Sequence, residues 1–261
     1  MNKKNKNLLI AIIGVLLVLV IGGTVYLGTV NNEPKNTPTP TQETITKDYS
    51  KEIEEYDNNY AINSDYVGMI RFESGMINLP FVQAHDNDIA KAYDKYLRTA
   101  WDTMEHDEEG SIFLDPSNSL EDQNLVIYGH YVYPSYDITR THKFTRLHEL
   151  KDKEKYEENK YIELVLENEI RRFEVAHVYY AELDLNNPSQ PLEEGMEYMF
   201  TNFTDEGLKY YFDRVSEVEF YETGVEITPE DKFLTLQTCV ENRDDLRLII
   251  VAKQVEVEKT R

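Results

Sequence analysis

A single cysteine, Cys239, occurs in 261 residues, so the chain can form no internal disulfide and its fold stands on packing alone. The thiol then needs its own explanation: an inert core residue, a bridge to another chain or a reactive nucleophile. Basic residues are scarce as well. There are 27 Lys and Arg against 49 Asp and Glu, a formal charge of -22, which argues against nucleic acid or any other partner held by phosphate neutralisation. Metal signatures are missing too. His142 and His148 flank Arg146 without an accompanying cysteine or carboxylate set for zinc. The acidic run Glu105 to Glu109 lacks the alternating ligands and the placed glycine of a calcium loop, and reads as a solvated turn. Neither a metal nor a cofactor is implied, and no internal repeat is found.

What is present is enough apolar material for a core: 41% hydrophobic residues, with 19 Tyr and 10 Phe. Leu8 to Val30 is an almost unbroken run of Leu, Ile, Val, Ala and Gly, about the ~20 residues a helix needs to cross a ~30 Å hydrocarbon layer. A cleaved signal peptide would have a shorter apolar region of ~7 to 15 residues and a small-x-small site, and none is evident around Val25, Tyr26 and Leu27. Lys3, Lys4 and Lys6 precede the run and Lys35 is the first basic residue after it. The reading is therefore a cytoplasmic N-terminus at residues 1–7, a transmembrane anchor at 8–30 and an extracellular remainder. Residues 31–46, Pro-rich with small polar residues, read as an extended spacer, and residues 47–261 as the folded domain.

Within the domain, Tyr49, Ile53 and Tyr56 at helical spacing predict a narrow amphipathic helix between Thr46 and Asn59. Short β-rich runs follow: Val67 to Phe72, Leu79 to Gln83, Ser111 to Leu114, Leu125 to Tyr128, Tyr161 to Leu166, Arg172 to Tyr180, Phe233 to Thr238 and Leu246 to Val251. About eight strands predict a mostly β fold, a closed or nearly closed barrel. Helices interrupt it at Ile89 to Arg98 and from Thr204 through Leu208, Tyr211, Phe212 and Val215, where Asp205 and Glu206 suit a helix N-terminus.

The segment TLQTC ends one strand and another begins near Leu246. A hairpin centred on Arg243 sets Cys239 and Arg247 opposite each other, with Cβ atoms roughly 4.5 to 5.5 Å apart. A fixed guanidinium there favours thiolate and can hold an oxygen that becomes negative in acyl transfer. His130 follows the strand Leu125 to Tyr128 and Gly129, a position where the glycine permits a tight turn and the imidazole can protonate a leaving amine. Spacing alone does not select among the 6 histidines.

TLQTC with its arginine eight residues on, preceded by VIYGH, resembles the two signature blocks of sortases, in the family order His, Cys, Arg. INLPFVQAHDND at Ile77 to Asp88, GSIFLD at Gly110 to Asp115 and KFTRL at Lys143 to Leu147 resemble class B members in particular. The resemblance runs from about Tyr66 to the C-terminus. It implies a sortase-like eight-stranded barrel with Cys239 as nucleophile, His130 as acid/base and Arg247 as the charge-stabilising partner. It further implies a membrane-anchored transpeptidase that cleaves a Pro-x-Thr sorting signal of an exported protein after Thr and joins the acyl group to a cell-wall or pilin amine. Two positions depart from the family pattern: Tyr131 where Asn commonly follows the histidine, and Glu241 where Asp is often seen. The long segment Glu182 to Thr228 is the expected wall of the substrate groove. A catalytically silent, membrane-tethered binding module of the same fold is the alternative. A cysteine peptidase of another fold would place its nucleophile at a helix start, usually ahead of the histidine.

Overall fold

The computed structural model describes residues 47–132 and 143–261. The apolar run 8–30, the spacer 31–46 and His142 lie outside the described residues. Among the described residues no helix is long and apolar enough to cross a membrane. The chain enters the domain, which spans Asp48–Arg261, through helix α1 (Ser50–Ile62). As its narrow stripe predicts, α1 buries Tyr56 alone. Then come β1 (Tyr66–Phe72), β2 (Asn78–Val82), α2 (Ile89–Lys95), β3 (Ile112–Leu114) and β4 (Asn124–Tyr128). A 3-10 helix (Thr145–Lys151) and α3 (Lys153–Asn159) lead to β5 (Tyr161–Leu166), β6 (Glu169–Asp184) and β7 (Asn187–Pro191). Helix α4 (Asp205–Val218), β8 (Phe233–Val240) and β9 (Arg243–Lys259) complete the chain.

The strands hydrogen-bond in the order β5-β1-β2-β3-β4-β8-β9-β6-β7, and a further pairing of β5 with β6 closes the first eight into a ring. This is the expected eight-stranded barrel, with β7 added outside the ring as a hairpin on β6. Closure leaves no free edge within the ring itself. Side chains alternate across each strand. One set fills the barrel: Ile70, Phe81, Leu114, Leu125, Ile127, Leu164, Val175, Leu234, Leu236, Leu248 and Ile250 form a single buried cluster, plugged by Phe144, Leu147 and Leu150 around the 3-10 helix. The other set faces outward under two covers. Val126, Tyr128, Phe113 and Val82 pack with Ala92 and Tyr96 beside α2. Phe233, Ile249, Val251 and Tyr179 pack with Leu208, Tyr211 and Val215 of α4 and with Met196 and Tyr198. Helix α4 begins where the sequence predicts, with the Thr204 side chain capping the Gly207 amide. Helix α2 stops at Lys95, short of the predicted Arg98.

Candidate active site

Strands β8 and β9 pair antiparallel with Cys239 opposite Arg247, as the spacing predicts. The hairpin is not symmetric, however. Its turn is Glu241–Asn242, with Asn242 at φ 59°, Val240 pairs with Arg243, and the register shifts between Cys239 and Val240. Asp244, Asp245 and Leu246 are the surplus on β9, a bulge that restores the Cys239–Arg247 pair. Arg247 uses that bulge: its Nη1 donates to the carbonyl oxygens of Asp244 and Leu246, both at 2.9 Å. The nearby carboxylate of Asp245 belongs to Arg243. Strand β4 lies parallel to β8 on the other side, with Tyr128 beside Gln237 and the Gly129 amide donating to the Gln237 carbonyl. His130 lies two residues past the end of β4 and lines the same cleft as Cys239 and Arg247. Cys239 is thus the next-to-last residue of β8, Arg247 lies opposite it on β9, and His130 follows the neighbouring strand β4. By alternation they share the outward face, since Cys239 follows Phe233, Arg247 precedes Ile249 and Val251, and His130 follows Val126 and Tyr128.

The cleft they line opens between the two covers, with a volume of about 610 Å³. Ala90, Tyr93, Asp94, Leu97 and Phe113 form one wall, and Leu183 and Met199 contribute to the other. The segment Glu182 to Thr228 therefore supplies one wall, as expected; the α2 wall is one that sequence reasoning missed. Each wall is fastened by a buried polar residue. Asp115, 1% exposed, accepts from the phenols of Tyr93 at 2.6 Å and Tyr128 at 2.7 Å. Burial pushes the Tyr128 hydroxyl well above its ordinary range. Asn124, fully buried, donates to the carbonyls of Tyr198 and Phe200, accepts from Thr235, and so holds Met199 between them. Tyr198 is itself inaccessible and donates to Gln237 at 2.7 Å, whereas Phe200 is 54% exposed.

His130 donates from Nε2 to the Leu97 carbonyl at 2.8 Å. A carbonyl only accepts, so Nε2 carries the proton and Nδ1 is the basic nitrogen. Gly129, expected to permit a tight turn, serves a different need: its φ is not positive, and a Cβ there would stand 2.6 Å from the Phe144 ring. The two departures from the family pattern meet each other. Tyr131 donates its hydroxyl to the Glu241 carboxylate at 3.2 Å. Its ring lies 4.8 Å from that of His148, and His148 in turn donates to the Cys239 carbonyl at 3.0 Å. Cys239 is half-buried. Among the described residues no group of three or more His, Cys, Asp or Glu is placed to hold a metal.

The Sortase domain family model matches residues 87–255, which include His130, Cys239 and Arg247. Sortase B of Staphylococcus aureus is 27% identical over 201 residues, covering 75% of this chain and 72% of that protein. Sortase B of Listeria monocytogenes is 27% identical over 206 residues, covering 74% and 71%. The crystal structure of Clostridium perfringens sortase B superposes with a TM-score of 0.61 at 29% identity, covering 77% of this chain and 99% of that one. The chain belongs to the sortase family of cysteine transpeptidases, and to its class B branch.

Proposed function

We propose that this protein is an extracellular, membrane-anchored class B sortase in which Cys239 is the nucleophile, His130 the general acid/base and Arg247 the oxyanion and substrate clamp. The observation that carries the reading is that Cys239 and Arg247 pair across β8 and β9, His130 follows the neighbouring β4, and all three line one cleft. His130 Nδ1 takes the proton of the Cys239 thiol, the thiolate attacks the carbonyl carbon of the signal's threonine, and the C–N bond to the next residue breaks. The departing amine takes a proton from His130, leaving a thioacyl enzyme. An acceptor amine then attacks the thioester, gives its proton to His130 and releases the thiolate. Arg247, with Nη1 pinned to Asp244 and Leu246, has its remaining donors for the oxygen that gains charge. The apolar walls Leu97, Leu183 and Met199 limit water at the thioester.

A crystal structure of S. aureus sortase B holds a substrate, and a crystal structure of a sortase B holds triglycine, chemistry that fits a Pro-x-Thr signal and an amine acceptor here. The apolar run Leu8 to Val30 supports the anchor. The test incubates the full-length protein in detergent with a panel of Pro-x-Thr peptides, with and without triglycine, read by mass spectrometry beside Cys239→Ala. Cleavage after Thr with an amine-joined product, lost in the variant, is the expected result. A folded protein that forms no thioacyl adduct with any peptide would instead be the silent binding module.

A further inference from the structure

The reaction as described leaves His148 unused, yet it touches the main chain of the nucleophile. It sits on the 3-10 helix whose Leu147 and Leu150 are sunk in the barrel core, so its backbone is fixed. Its Nε2 reaches the Cys239 carbonyl at 3.0 Å, at the step where the β8–β9 register breaks. One neighbour of the ring is Tyr131, which directly follows His130 and whose hydroxyl reaches Glu241, two residues past Cys239. The strand end bearing the thiol and the segment bearing the acid/base are therefore tied together through His148. Burial lowers the imidazole's proton affinity; the bond to the Cys239 carbonyl opposes it, Lys151 acts with burial and Glu241 against it. Facing an oxygen that only accepts, the ring is a neutral Nε2–H donor.

We propose that His148 is a positioning residue for Cys239, acting through the carbonyl of Cys239 itself. The inference rests on the reading of Cys239 as nucleophile. The Gln237 carbonyl takes its bond from Gly129 on the β4 side, and the Cys239 carbonyl, two residues on and facing the same side by alternation, lies beyond the end of β4 at Tyr128 and takes its bond from His148. The His148 bond sets the peptide plane between Cys239 and Val240, and with it the aim of the thiol into the cleft.

The experiment compares wild type with His148→Phe, which keeps a ring against Tyr131 and loses the donor, and His148→Gln, whose amide places a donor where Nε2 was. Two rates are read on full-length protein: alkylation of Cys239 by iodoacetamide, and cleavage of an Asn-Pro-x-Thr peptide. The expected result is a fall in both alkylation rate and kcat of about three- to tenfold for H148F, with KM unchanged and H148Q near wild type. H148F equal to wild type overturns the proposal, and so does H148Q as slow as H148F, since the ring's packing would then be what matters. Should H148F fail to fold by thermal melt, His148→Asn decides. Its amide is too short to reach the carbonyl, so the expected result is slowed rates, and wild-type rates overturn the proposal. A wild type that is neither alkylated at Cys239 nor active takes down the nucleophile assignment along with this inference; an active wild type with indifferent His148 variants takes down this inference alone.

Discussion

Arg247 stands opposite Cys239 only because β9 carries Asp244, Asp245 and Leu246 as an insertion relative to β8. The same insertion turns the Asp244 and Leu246 carbonyls toward the guanidinium. One irregularity thus sets both the register of the pair and the orientation of its cation. A regular hairpin would give neither, because unbroken pairing from Val240 and Arg243 would slide Arg247 past Cys239.

Arg247→Lys is the direct probe of that arrangement. An ammonium is a point charge and cannot hold two carbonyls while offering a planar fork to substrate. The expected loss in kcat/KM is about a hundredfold or more, with little change in melting temperature because Arg247 is half-buried and, among the described residues, its hydrogen bonds go to the main chain of Asp244 and Leu246. A lysine variant within about fivefold of wild type would remove the clamp from the mechanism.

Gly129→Ala tests the close approach of Phe144. The new methyl has no room beside a ring that is itself fully buried, a clash of the kind that costs about 1 to 3 kcal/mol. Melting temperature is expected to fall and activity with it, because His130 is the next residue. Adding Phe144→Leu should recover part of both; no recovery would mean the glycine is needed for some other reason.

Asn124→Ala should loosen the Met199 wall while leaving the strand ends in place. It strands the buried Tyr198 carbonyl and Thr235 hydroxyl, each costing about 1 to 3 kcal/mol when left unpaired, and frees the carbonyl of the more exposed Phe200. A rise in KM larger than the fall in kcat is the expected pattern for a peptide substrate. A pure kcat effect would place Asn124's influence on the chemistry rather than on the wall.

Acid should destabilise this protein partly through His148. Its folded proton affinity lies below the ordinary 6.5, mainly through burial, so above that pH both folded and unfolded forms are neutral there and nothing is lost. As pH falls below 6.5 the unfolded chain takes up the proton first, and stability drops until the folded pKa is passed. Melting temperature between about pH 7 and pH 5 should therefore decline less steeply in His148→Gln than in wild type. Parallel declines would show that the imidazole titrates alike in both states.

The eight ring strands were legible because each is a short apolar or alternating run, and the Cys239–Arg247 pair because hairpin arithmetic survives a bulge that compensates itself. What escaped is of two kinds. Strand β7, with two prolines among its five residues Asn187–Pro191, has no alternation to detect, and β9 runs on to Lys259 through Glu256 and Glu258, where polar residues hide its length. The partners of the site escaped because they are main-chain atoms: the carbonyls of Leu97, Asp244, Leu246 and Cys239 carry no residue-type signature. The α2 wall is a product of tertiary packing that local pattern does not encode. The two odd residues, Tyr131 and Glu241, were visible one at a time, and only the fold shows that they meet.

Strand alternation has an outcome for how such a protein can diverge. The proposed reacting groups stand on the outside of a barrel whose inside is sealed with aliphatic and aromatic side chains, and the cleft proposed to take the peptide is formed by two separate coverings laid on that outside. Leu97 packs with one covering and Leu183 and Met199 with the other, so effects on folding of changes on the two sides should add independently. A lineage could re-cut the groove for a new peptide one side at a time, with the thiol, imidazole and guanidinium left standing on an unaltered drum.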